Sequence, residues 1–433
     1  MILNQKQTEV FNGVVKGENL FATGPGGVGK SVIINQLKDN KEFEEETVFL
    51  APTGVSAQNI KGATFHRTFQ FPFGFIDAYH RKQVSYKAKE IFSSNQIKRV
   101  LIDEISMTRG DIISAVDMNL RLAKRKNIPF GGLQIVMVGD FFQLSPVLNE
   151  KSTEGYHYLQ EFKSPFAFDT DTWKDSGIRT IQLDQIMRQS DQTMINALNE
   201  IRIRGDHFRE ALEMFNRSGL NNEDVDEENA LFLCSTNKDA DIINQDSYAN
   251  LETEPRCYTG VLSGKFKECP VPLYLEMKIG CKVMICANNH DSGYYNGQIG
   301  YVKEMFEDMI AIELTSGETI HITKYKWEEY DYVKDKDGKV TKTVIGSYVQ
   351  FPIKIGYAVT IHKAQGLSLD NAIIYTGRGC FAHGQAYVAL SRLRTMKGLK
   401  LLDKIYPSEI IVDQRVKDFY DGKIVTNLFD IMK

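Results

Sequence analysis

The stretch NLFATGPGGVGKSVIINQLK, residues 19–38, decides the fold. A short apolar run leads into a glycine-rich loop, and the loop opens into a segment whose apolar residues Val32, Ile33, Ile34 and Leu37 follow helical spacing. GPGGVGKS at 24–31 fits the pattern G-x-x-x-x-G-K-[ST], and a strand before it with a helix after it is the setting in which that pattern makes physical sense. Gly24, Gly26, Gly27 and Gly29, with Val28 between them, let backbone amides close on phosphate oxygens. The helix N-terminus adds a positive end, Lys30 reaches the β and γ oxygens, and Ser31 is the magnesium ligand.

Outward from this stretch, the apolar runs TVFLAP, RVLIDE, QIVMVGD and TIQLDQ alternate with helical segments through residue 185. That alternation predicts an α/β domain with a parallel sheet. RVLIDEIS, 99–106, supplies a partner strand for the phosphate loop. Asp103 at its end would hold magnesium through water, and Glu104 would orient and polarise an attacking water. An Asp-Glu pair after a strand is also a common helix cap, but behind a phosphate loop the catalytic reading is preferred. Together these residues point to hydrolysis of a nucleoside triphosphate, with ATP and Mg2+ as the cofactors.

The chain has 433 residues, more than one core usually spans, so two or more domains are expected. An apolar fraction of 42% and a charged fraction of 25% are those of a globular protein. The net charge of −4 gives no global basic excess, so any polyanion has to be met by local patches. Six cysteines without a CxxC pair indicate neither a zinc site nor a disulfide framework. With no signal-like N-terminus and no apolar run of 18 residues, the expectation is an intracellular protein of cytoplasmic, bacterial or phage type with no membrane contact.

The expected domains are a first α/β domain over 1–185, a second over 186–250 and 353–433, and an inserted β-barrel over 251–352. Within the first, residues 66–96 break the rhythm, and Phe69, Phe71, Phe73 and Phe75 recur at every second position. These rings are either the core of a small hairpin or, in part, faces on which bases stack. NNEDVDEEN, 221–229, reads as a solvated loop, and Asp337-Gly338 as the tip of a charged hairpin.

Further candidates surround this frame. Gln7 has an amide that can pair with both the donor and the acceptor on the edge of adenine. Gln143, in VGDFFQLSPV (138–147), ends another central strand, where an uncharged amide can report the γ-phosphate. Arg188 and Arg392 lie close to domain boundaries and could supply cations for transition-state charge, although a lone helical arginine is more often a surface residue. His362-Lys363, between a β-branched run and Gln-Gly, makes a poor core sequence and a good phosphate contact.

The combined motifs resemble the PIF-type DNA helicases of superfamily 1, the branch that moves 5′ to 3′. They run in family order as LNQKQ, GPGGVGKS, APTGVSA, TFHRTF, LIDEISM, PFGGLQIVMVGDFFQLSPV, LDQIMRQ, LCSTN, GCKVMICANN with YYNGQIGYV, YAVTIHKAQG and QAYVALSRLR, across nearly the whole chain. The resemblance implies two RecA-like motor domains, a small wedge in the first and a Src-homology-type barrel inserted in the second. It makes Gln7 the adenine contact, Lys30 and Ser31 the phosphate and magnesium contacts, Asp103 and Glu104 the metal and water residues, and Gln143 the γ-phosphate sensor. Arg188 and Arg392 become the arginines that complete the site when the motor domains close. Single-stranded DNA would be met by Pro52, Thr53, Phe65, His66, Thr236, Asn237, Thr360, His362 and Lys363, with Gln365 and Gly366 linking that track to the nucleotide; Phe73 joins them on its aromatic face alone, independently of the resemblance. Implied partners are single-stranded DNA and forked or 5′-tailed duplex, with quadruplexes and RNA–DNA hybrids as further substrates and a monomer in solution. Two departures stand out: Ser145 precedes Pro146 where the family commonly has two prolines, and Gly27-Val28 replace alanine and threonine. Three other readings stay open on the residues alone. These are a translocase or annealing motor that does not separate strands, an ATP-dependent clamp with negligible turnover, and an RNA helicase.

Overall fold

The computed structural model describes residues 3–266, 268–289 and 292–423. A parallel sheet is built first, from β1 (Leu20–Thr23), β2 (Thr47–Ala51), β3 (Ala63–Thr64), β4 (Arg99–Ile102), β5 (Gln134–Gly139) and β6 (Arg179–Gln182). Its order is β3-β2-β4-β5-β1-β6. Every residue of β1, β2 and β5 is buried, as a parallel sheet covered on both faces requires. Helix Gln5–Val15 opens the domain with a capping box, in which the Asn4 side chain accepts from Gln7 N and the Gln7 side chain accepts from Asn4 N.

A second parallel sheet is formed by β7 (Leu231–Cys234) and, beyond an insertion, β18 (Ala358–Thr360), β19 (Ala372–Tyr375) and β20 (Leu399–Leu401), in the order β18-β7-β19-β20. The insertion is built from antiparallel pairs: β8 (Arg256–Thr259) with β10 (Tyr274–Met277), and β9 (Val261–Gly264) with β16 (Val340–Gln350). A five-stranded sheet follows the order β14-β13-β12-β11-β17, from Thr319–Thr323, Met309–Leu314, Ile299–Met305, Lys282–Ile285 and Ile353–Ile355. Its core gathers Val283, Ile285, Val302, Ile310, Ile312 and Phe351. Buried Lys282 ties this module to the second sheet, donating to the carbonyls of Glu228 and Ala230 at 2.5 Å.

The chain divides into two compact units, one of residues 1–187, 329–345 and 413–433, the other of 188–328 and 346–412. Two segments expected elsewhere thus belong to the first unit. One is the tip of the hairpin β15 (Tyr325–Lys334)–β16, where Lys87 Nζ meets Asp331 at 2.5 Å and Phe49 N donates to Tyr332 Oη at 2.7 Å. The other is helix Gln414–Tyr420, expected from sequence in the second motor domain, whose Phe419 stacks on Phe168 at 4.5 Å. The rest of that expected domain's end, 424–433, lies outside the described residues. The hairpin turns where Asp337-Gly338 predicts, with Gly338 at φ 84°.

The phenylalanine segment is not a hairpin. Helices Phe65–Phe69 and Tyr86–Ser93 flank it, and Phe69 stacks between Phe71 and Phe92 at 5.1 and 5.2 Å. Phe75 meets the edge of Tyr158, so three of the four rings are packing residues. Phe73 is the exception at 82% exposed. Among the described residues no helix is long and apolar enough to cross a membrane.

Candidate active site

The register of the first sheet brings the nucleotide candidates together. Because all its strands are parallel, the segments leaving β1, β4 and β5 emerge at one edge, and these strands are adjacent in the order β4-β5-β1. Thr23 is level with Gly139, and Ile102 with Met137. The phosphate loop, the Asp103-Glu104 pair and the Asp140–Gln143 turn therefore share one site. Gly139 permits the closeness: a Cβ there would sit 3.1 Å from Ile105 N.

The loop at 24–29 is held from both sides. Lys30 Nζ arches back to donate to Gly24 O at 2.6 Å and Pro25 O at 3.1 Å. Gln7 Nε2 donates to Val28 O at 3.0 Å, and Met187 N to Gly27 O at 2.9 Å. Gly29 caps helix Lys30–Lys38 at φ 77°, and a Cβ on it would lie 2.5 Å from Gln7 Nε2. The Gln7 amide is thus a brace for the loop in this structure. A carboxamide keeps a second N–H and a second lone pair, so an adenine contact has to be made with that remaining capacity.

Glu104 stands at φ 50°, ψ 44°, a left-handed conformation that a glutamate adopts at a cost of order 1 kcal/mol and that marks functional turns. The turn is held by Glu104 N donating to Asp103 Oδ1 at 2.9 Å. Burial, and then the Glu104 charge, push Asp103 up to about 7, with the nearby Lys30 acting in the opposite sense. The Asp103 carboxylate and the Ser31 hydroxyl are hard oxygen donors of the kind that Mg2+ takes. Among the described residues no group of three His, Cys, Asp or Glu side chains could hold a metal alone, so the remaining ligands have to be phosphate oxygens and water.

Gln143 is 5% exposed, and its Nε2 donates to Asp140 Oδ2 at 3.2 Å. Asp140 is fully buried and also accepts from Phe142 N. It orients the candidate sensor, and reading the sequence alone passes over it although it stands only three residues before Gln143. The two phenylalanines are core: Phe141 sits edge-on to Phe168 at 4.8 Å, and Phe142 stacks on Tyr420 at 4.8 Å and 18°.

Both arginines lie in the second unit. Arg188 Nη1 donates to Ser391 O at 3.0 Å, and the neighbouring Gln189 Nε2 donates to Leu393 O at 2.8 Å. Arg392 is only 1% exposed, and its guanidinium donates to Val388 O and Ser391 Oγ, both at 2.8 Å. In this arrangement Arg392 holds its own helix end together, so reaching a phosphate requires those bonds to be exchanged. Gly366 is at φ 88°, in the turn after β18.

The strand-contact candidates fall into two groups at equivalent places. In the first unit Pro52-Thr53 follows β2 and Phe65-His66 follows β3, with Ala51 level with Thr64. In the second, Thr236-Asn237 follows β7, while Thr360 ends β18 and His362-Lys363 lies in the turn after it, with Thr360 level with Cys234. Thr53 and Thr236 each cap the next helix, accepting from Ser56 N and Asp239 N. Burial lowers His362 below the usual imidazole range, which favours the neutral ring. Phe65 is 1% exposed and offers no face for a base. Phe73 does, with its ring 5.1 Å from that of His66.

A family model described as PIF1-like helicase matches residues 2–219. The chain is 31% identical to the ATP-dependent DNA helicase Pif1 of Bdellovibrio bacteriovorus over 428 residues, 96% of this chain and 91% of that one. Among solved structures, unliganded Pif1 from a Bacteroides species superposes with a TM-score of 0.86 at 34% identity, covering 98% of this chain and 97% of that one. Bacteroides Pif1 in complex with ADP-AlF3 and single-stranded DNA gives 0.69 at 33% identity, over 98% and 97%.

Proposed function

The chain belongs to the PIF1-like helicase family and is an ATP-dependent DNA helicase, and from that premise we propose that it moves 5′ to 3′ on single-stranded DNA and separates the duplex ahead of it. The observation that carries the ATP reading is the convergence of the loops after β1, β4 and β5 at one sheet edge. Lys30 binds the β and γ oxygens, Glu104 orients the attacking water, and Gln143, aimed by Asp140, reads whether the γ-phosphate is present. Ser31, and Asp103 through water, would hold Mg2+, which would supply charge neutralisation at the phosphates. Arg188 and Arg392 supply the cations for transition-state charge. Gln7 and Gly366 complete the nucleotide contacts.

The DNA track consists of Pro52, Thr53 and His66 in one unit and Thr236, Asn237, Thr360, His362 and Lys363 in the other. Two groups at the carboxyl edges of two sheets offer one grip per unit, which is what stepping along a strand needs. Bacteroides Pif1 has been solved with single-stranded DNA, and a further Pif1 structure concerns unwinding at forked double-stranded DNA, which supports both as partners here. Quadruplexes and RNA–DNA hybrids extend the same proposal, with the protein a monomer in solution.

Phe73 is the residue on which strand separation, as distinct from movement, rests. Its ring is exposed beside His66, where a base can stack for ~1–3 kcal/mol. Phe73→Ala is expected to leave DNA-stimulated ATP hydrolysis within about twofold and to slow unwinding about tenfold. Equal losses in both would remove the splitting role, and unwinding at the wild-type rate would do the same.

A further inference from the structure

The β1–β5 ladder ends at Thr23 and Gly139, and the next residues, Gly24 and Asp140, begin the two turns that hold Lys30 and Gln143. Beside this end of the ladder stands Tyr420, from helix Gln414–Tyr420. Its hydroxyl shares a 2.6 Å hydrogen bond with Thr23 Oγ1 and accepts from Phe141 N at 3.3 Å. Its ring lies flat on Phe142 at 4.8 Å. A single side chain thus touches the residue before the phosphate loop and both residues before Gln143.

We infer that Tyr420 is a positioning residue of the nucleotide site, a side-chain rung that extends the β1–β5 ladder and fixes the 140–143 turn relative to the phosphate loop. The inference rests on the ATP reading of residues 24–31 and 103–104. Thr23 and Phe141 are fully buried, so water cannot replace the phenol oxygen between them. The hydroxyl can accept from one partner and donate to the other, which links the two strand ends through a group that neither strand supplies. Without it the turn keeps its covalent path but loses a constraint on Phe141 N, two residues before the amide that has to meet the γ-phosphate. Phe419, the preceding residue, acts differently, since its ring fills the cluster of Phe21, Phe141, Phe168 and Trp173 and makes no contact with the hydroxyl's partners beyond packing.

The test compares steady-state ATP hydrolysis on single-stranded DNA for Tyr420→Phe, Gln143→Ala, the double variant, Phe419→Leu and Lys30→Ala, with a thermal melt of each. Tyr420→Phe is expected to lower kcat about fivefold with KM for ATP within about twofold. In the Gln143→Ala background it is expected to cost less than about 1.5-fold more, because a residue acting through Gln143 has nothing left to position. Phe419→Leu is expected to lower the melting temperature more than Tyr420→Phe does while leaving kcat within about twofold, the reverse of what a purely structural helix would give. An unchanged kcat in Tyr420→Phe overturns the inference, as does a full fivefold loss repeated on top of Gln143→Ala. Wild-type hydrolysis by Lys30→Ala overturns instead the reading of the ATP site on which it stands.

Discussion

Glu104 shows how much one residue's backbone can reveal. Its left-handed conformation, its amide bonded to Asp103 and its place after β4 put a carboxylate at the phosphate-loop edge with a fixed direction. If it orients the attacking water, Glu104→Gln keeps the shape and loses the polarising charge, and kcat falls by about 10²–10⁴ while ATP still binds. Hydrolysis within tenfold of wild type, at equal nucleotide affinity, would place the base elsewhere. Most of this site is legible in the sequence, because the phosphate loop and the Asp-Glu pair are local patterns with a local mechanism. Asp140 and Tyr420 are not legible. An aspartate after a strand does not announce that it bonds the amide three residues on, and only the fold brings a tyrosine from near the end of the chain to Phe141 and Phe142. Phe65 errs in the other direction: the resemblance makes it a contact for single-stranded DNA, yet as the first residue of a short helix it is buried.

At the scale of elements, both sheets use the same device. A strand ends, a threonine caps the helix that follows, and the cap sits where a DNA phosphate is proposed to bind. Thr236→Ala is expected to cost about 1 kcal/mol of stability through the lost cap. It is also expected to weaken single-strand binding, read by fluorescence anisotropy. A drop in melting temperature with unchanged DNA affinity would leave Thr236 as a cap alone. Lys282 gives a pH-dependent prediction. Burial lowers it from 10.5 to about 8 in the fold, so between those values the unfolded chain binds more protons and unfolding free energy rises with pH. Relative to Lys282→Met, the wild type should gain stability of order 1–3 kcal/mol from pH 8 to 10.5, followed by denaturant titration. A pH-independent difference would contradict the burial of an ammonium there. The helical segment around the phenylalanines escapes sequence reading because alternate spacing over four residues is also met by a helix end and a coil. PFGG shows the converse. Phe130, Gly131 and Gly132 are left-handed in succession, and Phe130 N is anchored on Asp117 at 2.6 Å. That motif shapes the entry to β5, at the end of the strand opposite the candidate site.

For the whole molecule, the α/β alternation, the split second sheet and the antiparallel insertion follow from the period of the apolar residues. What that period cannot carry is which unit the hairpin tip and the last helix join, because those contacts are made by single side chains such as Tyr332 and Phe419. At this scale ATP chemistry at the β1–β4–β5 edge is proposed to drive strand separation with a fixed polarity. The most direct test is unwinding of two duplexes that differ only in carrying a 5′ or a 3′ single-stranded tail, with ATP and Mg2+, beside Lys30→Ala. Separation of the 5′-tailed duplex alone is expected, and none by the variant. Separation of the 3′-tailed duplex, or of neither despite DNA-stimulated hydrolysis, would contradict the proposed motor.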